Sequence, residues 1–148
     1  MMLLGTLALS GLCAAASYDG PLMDLDELSA SSERVIVGEV REVRSAAGGP
    51  GIETIVEIHV EETLLGTPAP VVSLRVPGGV LGDVELTIPG APRFVTGQDV
   101  MVFLGEEDRV VGFGQGAFLV TEGLVWRDLS AAETPMFFPL EEARRTLR

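Results

Sequence analysis

The chain has 148 residues, a formal net charge of −12 and 47% hydrophobic residues. This length and apolar fraction suit one domain with a real hydrophobic core and leave little room for two packed domains. There is no lysine, so every positive side chain is an arginine, and the acidic residues are spread along the chain. Such a surface repels phosphate backbones and anionic lipids, so we expect no nucleic-acid partner and no membrane partner.

The N-terminal stretch "MMLLGTLALSGLCAAASYDG" predicts a secretory signal peptide over residues 1–16. It has an apolar run of about a dozen residues, too short to span a bilayer with comfort, closed by the small residues Ala14–Ala16. The usual basic residues before the apolar run are missing. The alternative is a buried N-terminal helix, but the pattern favours export to a periplasm or to the cell exterior.

Cys13 is the single cysteine and falls inside the predicted leader. A lipoprotein signal is disfavoured, because Leu12 stands where that signal needs glycine, alanine or serine. Cleavage after Ala16 would leave a mature chain without cysteine. Disulfides, thiolate metal sites and a cysteine nucleophile are then excluded together.

A polar N-terminal segment, residues 17–33, precedes a predicted β domain over residues 34–129. Apolar and polar side chains alternate with the period of two that marks a half-exposed strand, most clearly through "TIVEIHVE". Gly38 interrupts the first strand and predicts a bulge or bend there. The predicted strands are 34–45, 52–66, 69–79, 98–105, 108–120 and 123–129.

These short strands, with turns rich in glycine and proline, predict an all-β fold, a small five- to six-stranded OB-like barrel. The C-terminal segment, residues 130–148, holds one predicted short α-helix that starts at Pro139. Leu140, Ala143 and Leu147 form an apolar stripe on this helix. We expect the stripe to pack on the same domain, although a partner-binding helix is the alternative.

The stretches "SERVIVGEVREV", "TIVEIHVEETLLGTPAPVVSLRVPGG", "IPGAPRFVTGQDVMVFL" and "VVGFGQGAFLV" resemble a group of uncharacterised exported bacterial domains. More distantly, the first half is similar to the netrin-like modules that include the tissue inhibitors of metalloproteinases. The resemblance covers roughly residues 31–121 and implies an OB-like, five-stranded barrel. It does not carry function across, because those inhibitors chelate zinc through a mature N-terminal cysteine, which this chain lacks.

No catalytic or cofactor motif stands out. His59, the single histidine, lies between Glu57 and Glu61 on one strand face, where side chains about 7 Å apart are too far apart to share a metal ion. The sequence has no G-x-S-x-G elbow, and "GFGQGAF" at 112–118 lacks the lysine of a phosphate loop and favours a bulged strand. We therefore predict no catalytic residue, no cofactor and no metal.

The long connection between two predicted strands, from Pro77 to Phe94, is the predicted partner surface, because long connections are often functional. Alternation over 84–88 predicts a flap within it, and the alternative is that this flap only closes the end of the barrel. Turn formation explains Pro89, Gly90 and Pro92, and a contact with the core explains Phe94. Neither explains Arg93. The candidate residues are Pro89, Gly90, Pro92, Arg93 and Phe94.

These observations favour an exported, non-catalytic interaction module that docks on an extracellular protein, a protease among the options. The alternative is a barrel that binds a small ligand or a glycan near residues 77–98. An enzyme that uses His59 is the third hypothesis.

Overall fold

The computed structural model describes residues 22–49, 51–127 and 136–147. The predicted signal peptide, Cys13, the first residues of the polar segment and residues 128–135 lie outside the described residues. Within these ranges the strands are β1 (Arg34–Gly48), β2 (Gly51–Leu65), β3 (Val71–Pro77), β4 (Gly79–Leu81), β5 (Val84–Leu86), β6 (Asp99–Leu104), β7 (Ala117–Thr121), β8 (Leu124–Arg127) and β9 (Met136–Pro139). The α-helices are α1 (Leu25–Ala30) and α2 (Leu140–Leu147).

Seven of the strands form one open antiparallel sheet in the order β3-β2-β1-β6-β7-β8-β9. The strands β4 and β5 form a separate hairpin. The predicted OB-like barrel is therefore wrong, because a barrel closes only when its two end strands pair and here β3 and β9 remain edges. Alternation along a strand predicts which face is buried but not which strands meet at the ends of the sheet. No helix among the described residues has the length and apolar character needed to cross a membrane.

The two faces of the sheet carry separate core clusters, so its central strands are buried on both sides. In β6 every residue from Val100 to Leu104 is buried. The first cluster lies under α1 and α2 and includes Leu28, Val35, Val37, Met101, Phe103, Phe118, Val125, Phe138 and Leu140. The second lies on the other face and includes Ile36, Val40, Val56, Ile58, Val72, Leu74, Val76, Val100, Val102 and Leu104.

Gly38 sits at one of the register shifts between β1 and β2, as the predicted bulge requires. A Cβ atom there would lie only 2.3 Å from the carbonyl oxygen of His59. Because Gly38 has no side chain, β1 and β2 can approach each other closely where they bend.

The helix α1 falls inside the segment that we expected to be only a polar entry. Asp24 accepts a hydrogen bond from the backbone N–H of Glu27, and the Glu27 side chain accepts one from the backbone N–H of Asp24, each at 2.9 Å. This reciprocal capping box satisfies two backbone donors at the start of the helix. The D-x-x-E spacing was readable in the sequence and would have predicted it.

The helix α2 begins at Leu140, one residue later than predicted, because Pro139 ends β9. Its apolar stripe of Leu140, Ala143 and Leu147 is buried in the first core cluster, which confirms that the helix packs on its own domain. Arg144 extends from the same helix to β2 and donates to the carboxylate of Glu62 at 2.9–3.1 Å. These hydrogen bonds, and then one to Glu141, raise the pKa of Arg144 above its ordinary value.

Candidate functional site

The predicted partner surface, Pro77 to Phe94, contains the β4–β5 hairpin, and its five candidate residues lie in the loop between β5 and β6. The backbone N–H of Ala91 donates to the carbonyl of Ile88 at 3.2 Å, and Gly90 has a φ of +81°. A proline followed by a residue of positive φ is the arrangement of a type II turn, which explains Pro89 and Gly90 together. The loop is therefore a defined turn and not an unstructured excursion.

The second half of this loop turns one side chain inward and one outward. Phe94 is half-buried and packs against the second core cluster, as does Ala91. Arg93 is exposed, and among the described residues no hydrogen bond or ion pair holds its side chain. Phe94 thus holds the loop against the core. Beside it, the positively charged side chain of Arg93 is exposed and makes no ion pair among the described residues.

The "GFGQGAF" stretch forms the wall that faces this loop. A Cβ atom on Gly114 would lie 2.3 Å from the carbonyl oxygen of Gly90, so the two backbones pack in direct contact. The bulged strand predicted here is wrong over 111–116, which form turns, with Phe113 at a φ of +68°, and β7 begins only at Ala117. The glycines permit a tight approach between two loops rather than a bulge within one strand.

Between these walls lies a cleft of about 540 Å³, which we call the arginine cleft. Two arginines and the single tryptophan of the chain line it, and none of its lining residues is acidic. Its lining residues are Thr87, Ile88, Pro89, Gly90, Ala91, Pro92, Arg93, Phe94, Val100, Gly114, Ala117, Phe118, Leu119, Trp126 and Arg127. All five predicted surface residues therefore border one cavity.

Arg127, which sequence reasoning missed, borders the arginine cleft at the end of β8, but its guanidinium lies on the face of the first core cluster, opposite the face that carries Phe94. Only 6% of it is exposed, and its guanidinium donates to the backbone carbonyls of Gln115 and, at 2.9 Å, of Met23. The guanidinium carbon lies 5.0 Å from the centre of the Phe118 ring, a cation–π contact. Burial lowers the pKa of Arg127 below its ordinary value, although an arginine stays protonated at neutral pH.

Trp126 forms part of the same cleft beside Arg127 in β8. Its indole N–H donates to the hydroxyl of Thr121 at 3.3 Å, and the residue is half-buried. Because it is the only tryptophan, its fluorescence reports on this cleft alone.

The β4–β5 hairpin carries the largest group of exposed aliphatic side chains. It is attached to β1 and β2 by polar contacts: the Val80 N–H donates to the Ser45 hydroxyl at 3.2 Å, and the Thr54 hydroxyl donates to the Gly78 carbonyl at 2.7 Å. The predicted flap exists as β5, but the expectation that it buries its apolar side fails, since Val84 is 61% exposed. Three of the exposed aliphatic residues, Leu81, Val84 and Leu86, share one face of the hairpin, which we call the aliphatic patch, whereas Val80 lies on the other face with Glu85.

The E-x-H-x-E stripe is a solvent-facing acidic strand face. His59 Nε2 lies 3.2 Å from Glu57 Oε1, and both side chains are partly exposed. Glu61 instead meets Glu39 and Asp99, with carboxylate oxygens of all three within 4.8 Å of one another. This group of carboxylates could not be predicted from the sequence, because its members come from three strands, β2, β1 and β6. Apart from the charge of the three carboxylates, no observation indicates that an ion binds between them.

Comparison of the chain with family models, with curated proteins and with solved structures gives no match. The resemblance to netrin-like modules therefore stays a prediction, and the functional argument rests on the geometry alone.

Proposed function

We propose that this chain is an exported, non-catalytic module that docks on an extracellular protein through the aliphatic patch of the β4–β5 hairpin. Five of the nine large exposed hydrophobic residues found among the described residues lie in this one stretch of 16 residues, 80–95. Three of the five, Leu81, Val84 and Leu86, share one face of the hairpin. Contiguous apolar surface marks protein-binding sites, whereas scattered single residues do not. This clustering is the observation that carries the proposal.

The groove beside the patch gives it a shape that a partner can enter. A second cleft, of about 560 Å³, runs between the hairpin and the loop 87–95 and is lined by Val80, Leu86, Ile88 and Phe94 among others. The cleft has an apolar part between the hairpin and the loop that an inserted side chain could contact, and Arg44, Glu85 and Arg93 also line it. Aliphatic anchors that enter such grooves supply much of the energy of protein docking.

The charges around the patch indicate the chemistry of the partner. Asp83 and Glu85 are the charged residues of the hairpin, both are exposed, and the whole chain carries a net charge of −12. A partner surface with an apolar centre and a basic rim would complement both features and would be drawn in by long-range attraction. A second copy of this chain would set acidic hairpin against acidic hairpin, so we place a different protein on the patch.

The hairpin also favours a protein partner over the alternative of a glycan. Its exposed apolar side chains are branched aliphatics, and no residue of the hairpin is aromatic. Sugar rings stack on flat aromatic faces, which this patch does not offer. A saccharide that bound here would have to rely on polar contacts that the valines and leucines cannot make.

Two variants at exposed aliphatic positions test the docking proposal. The double variant Leu81→Ser/Val84→Ser removes the cross-strand pair at the centre of the patch, and Leu124→Ser removes an exposed aliphatic residue from β8, at a distance in the sheet order from the hairpin. Tagged forms of the wild type and of both variants are exported in the native host, cross-linked and recovered, and each captured protein is then purified for binding measurements.

We expect one purified partner to bind the wild type and the Leu124→Ser variant equally and to lose binding to the double variant. Its association rate with the wild type should fall as salt is added, because the attraction between acidic and basic surfaces is screened. Equal binding of all three proteins would overturn the proposal. So would a partner that proves to be a second copy of the chain held through the hairpin.

Export is tested in the same preparation. N-terminal sequencing of the recovered protein should begin at Ser17, the residue after Ala16. A chain recovered from the cytoplasm with residues 1–16 intact would contradict it.

A further inference from the structure

We infer that the free edge of β3 binds an extended peptide segment of another protein, which adds to the sheet as a further strand. The peptide would lie in a cleft of about 500 Å³ beside this edge, which we call the edge cleft. Its lining residues are Glu53, Ser73, Arg75, Val76, Pro77, Pro92, Glu107, Arg109, Val110 and Phe113. No residue of the aliphatic patch lines it, and the inference does not depend on the docking function proposed above.

The first support is the direction of the backbone groups in β3. At one end of the strand the Gly78 N–H donates to the carbonyl of Ile52 at 2.8 Å, and at the other the Val60 N–H donates to the carbonyl of Pro70 at 2.9 Å. Between these bonds β2 and β3 keep one unbroken register. Antiparallel bonding alternates along a strand, so the even-numbered residues of β3 bond to β2 and the odd-numbered residues face away from it.

The odd-numbered residues therefore form a row of donors and acceptors at the edge. Val71, Ser73 and Arg75 each place an N–H and a C=O there, and Pro77 places a C=O. Among the described residues β3 pairs with β2 alone, and no loop backbone bonds to these groups. An extended peptide is the ligand whose own donors and acceptors match this row.

The second support is the contrast with β9, the other edge of the sheet. The Leu140 N–H donates to the carbonyl of Gly123 at 2.9 Å, so by the same alternation Phe137 and Pro139 face away from β8. Proline has no N–H, which leaves one outward donor in the four residues of β9. Short length and an edge proline protect a sheet against added strands. The seven-residue strand β3 has a proline only at its last position and lacks this protection.

The third support is the wall that faces β3. The 3₁₀ turn Glu106–Asp108 lies beside this strand, and the chain continues from it along the edge cleft to Phe113. Glu107 has a φ of +56° and Phe113 a φ of +68°. A positive φ is a strained conformation for a bulky side chain, and strained residues concentrate at binding and catalytic sites. The strain in this wall is what a binding site would retain.

The lining of the edge cleft indicates the side chains of the peptide. Arg75 pairs with Glu53 at 2.9 Å. Arg109 pairs with Glu107 at 3.2 Å, so the lining has no net charge. The apolar lining residues are Val76, Pro77, Pro92, Val110 and Phe113. Because a strand places alternate side chains on one face, a peptide with an apolar residue at every second position would cover this lining.

A second copy of this chain fits the edge cleft less well than a free segment does. Its β3 is bonded to β2 and its β9 to β8, so neither edge strand can enter a cleft that has a wall on both sides. The net charge of −12 also makes two copies repel each other. We therefore place in the cleft a segment of a different protein with both of its edges free.

The experiment titrates the full chain into two fluorescein-labelled peptides and follows their polarisation. The peptides are Lys-Thr-Val-Thr-Val-Thr-Lys and Lys-Thr-Phe-Thr-Ile-Thr-Lys, and the control peptides carry N-methyl groups on two adjacent central residues, which blocks a donor whichever side faces β3. Ser73→Pro removes an outward N–H that the pairing with β2 does not use. Its matched control, Ser73→Ala, removes only the hydroxyl.

We expect saturable binding of at least one peptide, equal for the wild type and Ser73→Ala. Binding should weaken about tenfold in Ser73→Pro and for the N-methylated peptides, as the loss of a backbone hydrogen bond at a closed interface predicts. Leu81→Ser/Val84→Ser should bind the peptides as the wild type does, so a failure of the docking function would leave this result intact.

Hydrogen exchange of the wild type keeps the test valid even if Ser73→Pro does not fold. The amides of Ser73 and Arg75 should exchange fast in the free chain and slowly with peptide bound. Those of Val72 and Leu74 should be slow in both states, because they pair with β2.

Four results would overturn the inference. One is the absence of saturable binding for both peptides, and another is equal affinity of folded Ser73→Pro and Ser73→Ala. The third is unchanged exchange of Ser73 and Arg75 with peptide present. The fourth is a dimer of the wild type that Ser73→Pro dissociates, which would make a second copy the occupant of the edge.

Discussion

Gly114 and Gly90 lie so close that a single added carbon would separate them: a Cβ atom on Gly114 would come within 2.3 Å of the carbonyl oxygen of Gly90. The backbone nitrogen of Pro92 would lie only 3.3 Å from the same added Cβ atom. Two loops distant in sequence thus meet backbone to backbone, and their contact forms one end of the arginine cleft.

The variant Gly114→Ala should force these two loops apart. Because the clash is with backbone and not with the end of a flexible side chain, we expect a loss of about 1–3 kcal/mol in the free energy of unfolding. Urea denaturation measures it, and the emission of Trp126 in the folded state should shift as the cleft opens.

The matched control is Gly105→Ala, where the added carbon would meet its nearest neighbours at 3.5 Å, an ordinary contact. Equal stability of the two variants would show that the loops do not pack as described.

Replacing Phe118 should remove the centre of the first core cluster. Its ring lies 5.7 Å from that of Phe103 and 5.5 Å from that of Phe138, and it supports the guanidinium of Arg127. Phe118→Ala should cost about 3–5 kcal/mol of unfolding free energy.

The comparison for that variant is Phe137→Ala, which truncates a phenylalanine that is 62% exposed on the edge strand β9. We expect a change within about 0.5 kcal/mol there. Similar losses in both variants, measured by urea denaturation, would be inconsistent with the core as described.

Arg144 should stabilise the chain over a wide pH range. Its pKa is raised in the folded state, so its contribution is fully present below its ordinary pKa and is lost only as the pH rises through the still higher folded value. The thermal midpoint of Arg144→Gln should therefore lie below that of the wild type by a constant amount from about pH 6 to about pH 10.

Arg145→Gln is the control for this pH series, because Arg145 reaches only the backbone carbonyl of Glu141, at 3.4 Å. It should change the midpoint less. If the difference in thermal midpoint between the wild type and Arg144→Gln disappeared between about pH 6 and about pH 10, another titrating group would be the cause of that difference.

Glu61→Gln should stabilise the chain at low salt. The carboxylates of Glu61, Glu39 and Asp99 crowd together on three adjacent strands, and like charges across strands are unfavourable. The rise in the urea midpoint should fade toward about 1 M salt, where the screening length falls to about 3 Å. Glu85→Gln, which removes an exposed hairpin carboxylate outside the cluster, should show no such rise, and a Glu61→Gln gain independent of salt would argue against repulsion as its cause.

The strands and their buried faces could be predicted from the sequence because alternation is a local property. Val56 and Ile58 are buried and His59 is exposed, as the period of two requires. The closure of the sheet could not be predicted, since it depends on whether β3 meets a distant strand, and no residue of β3 encodes that. The barrel was a wrong extrapolation from strands that were mostly right, the exception being residues 111–116, which form turns.

The candidate site could be predicted only in the part that depends on local sequence. Turn chemistry identified Pro89 and Gly90 locally, and the unexplained charge of Arg93 was noticed because its neighbours were explained. Arg127 was missed because its importance comes from burial beside Phe118 and beneath the distant backbone of Met23. A lone arginine near the end of a predicted strand gives no signal of this in the sequence.

The two-sided burial of β6 has a consequence for the chain before it folds. "VMVFL" (100–104) is a run of five apolar, uncharged residues, three of them strongly β-forming, which is the composition of an aggregation-prone segment when exposed. Asp99 stands immediately before it, and Glu106 and Glu107 follow just beyond Gly105. These three carboxylates act as gatekeepers, so the acidic surface that repels other anions in the folded protein also keeps unfolded copies from adhering through their most apolar strand.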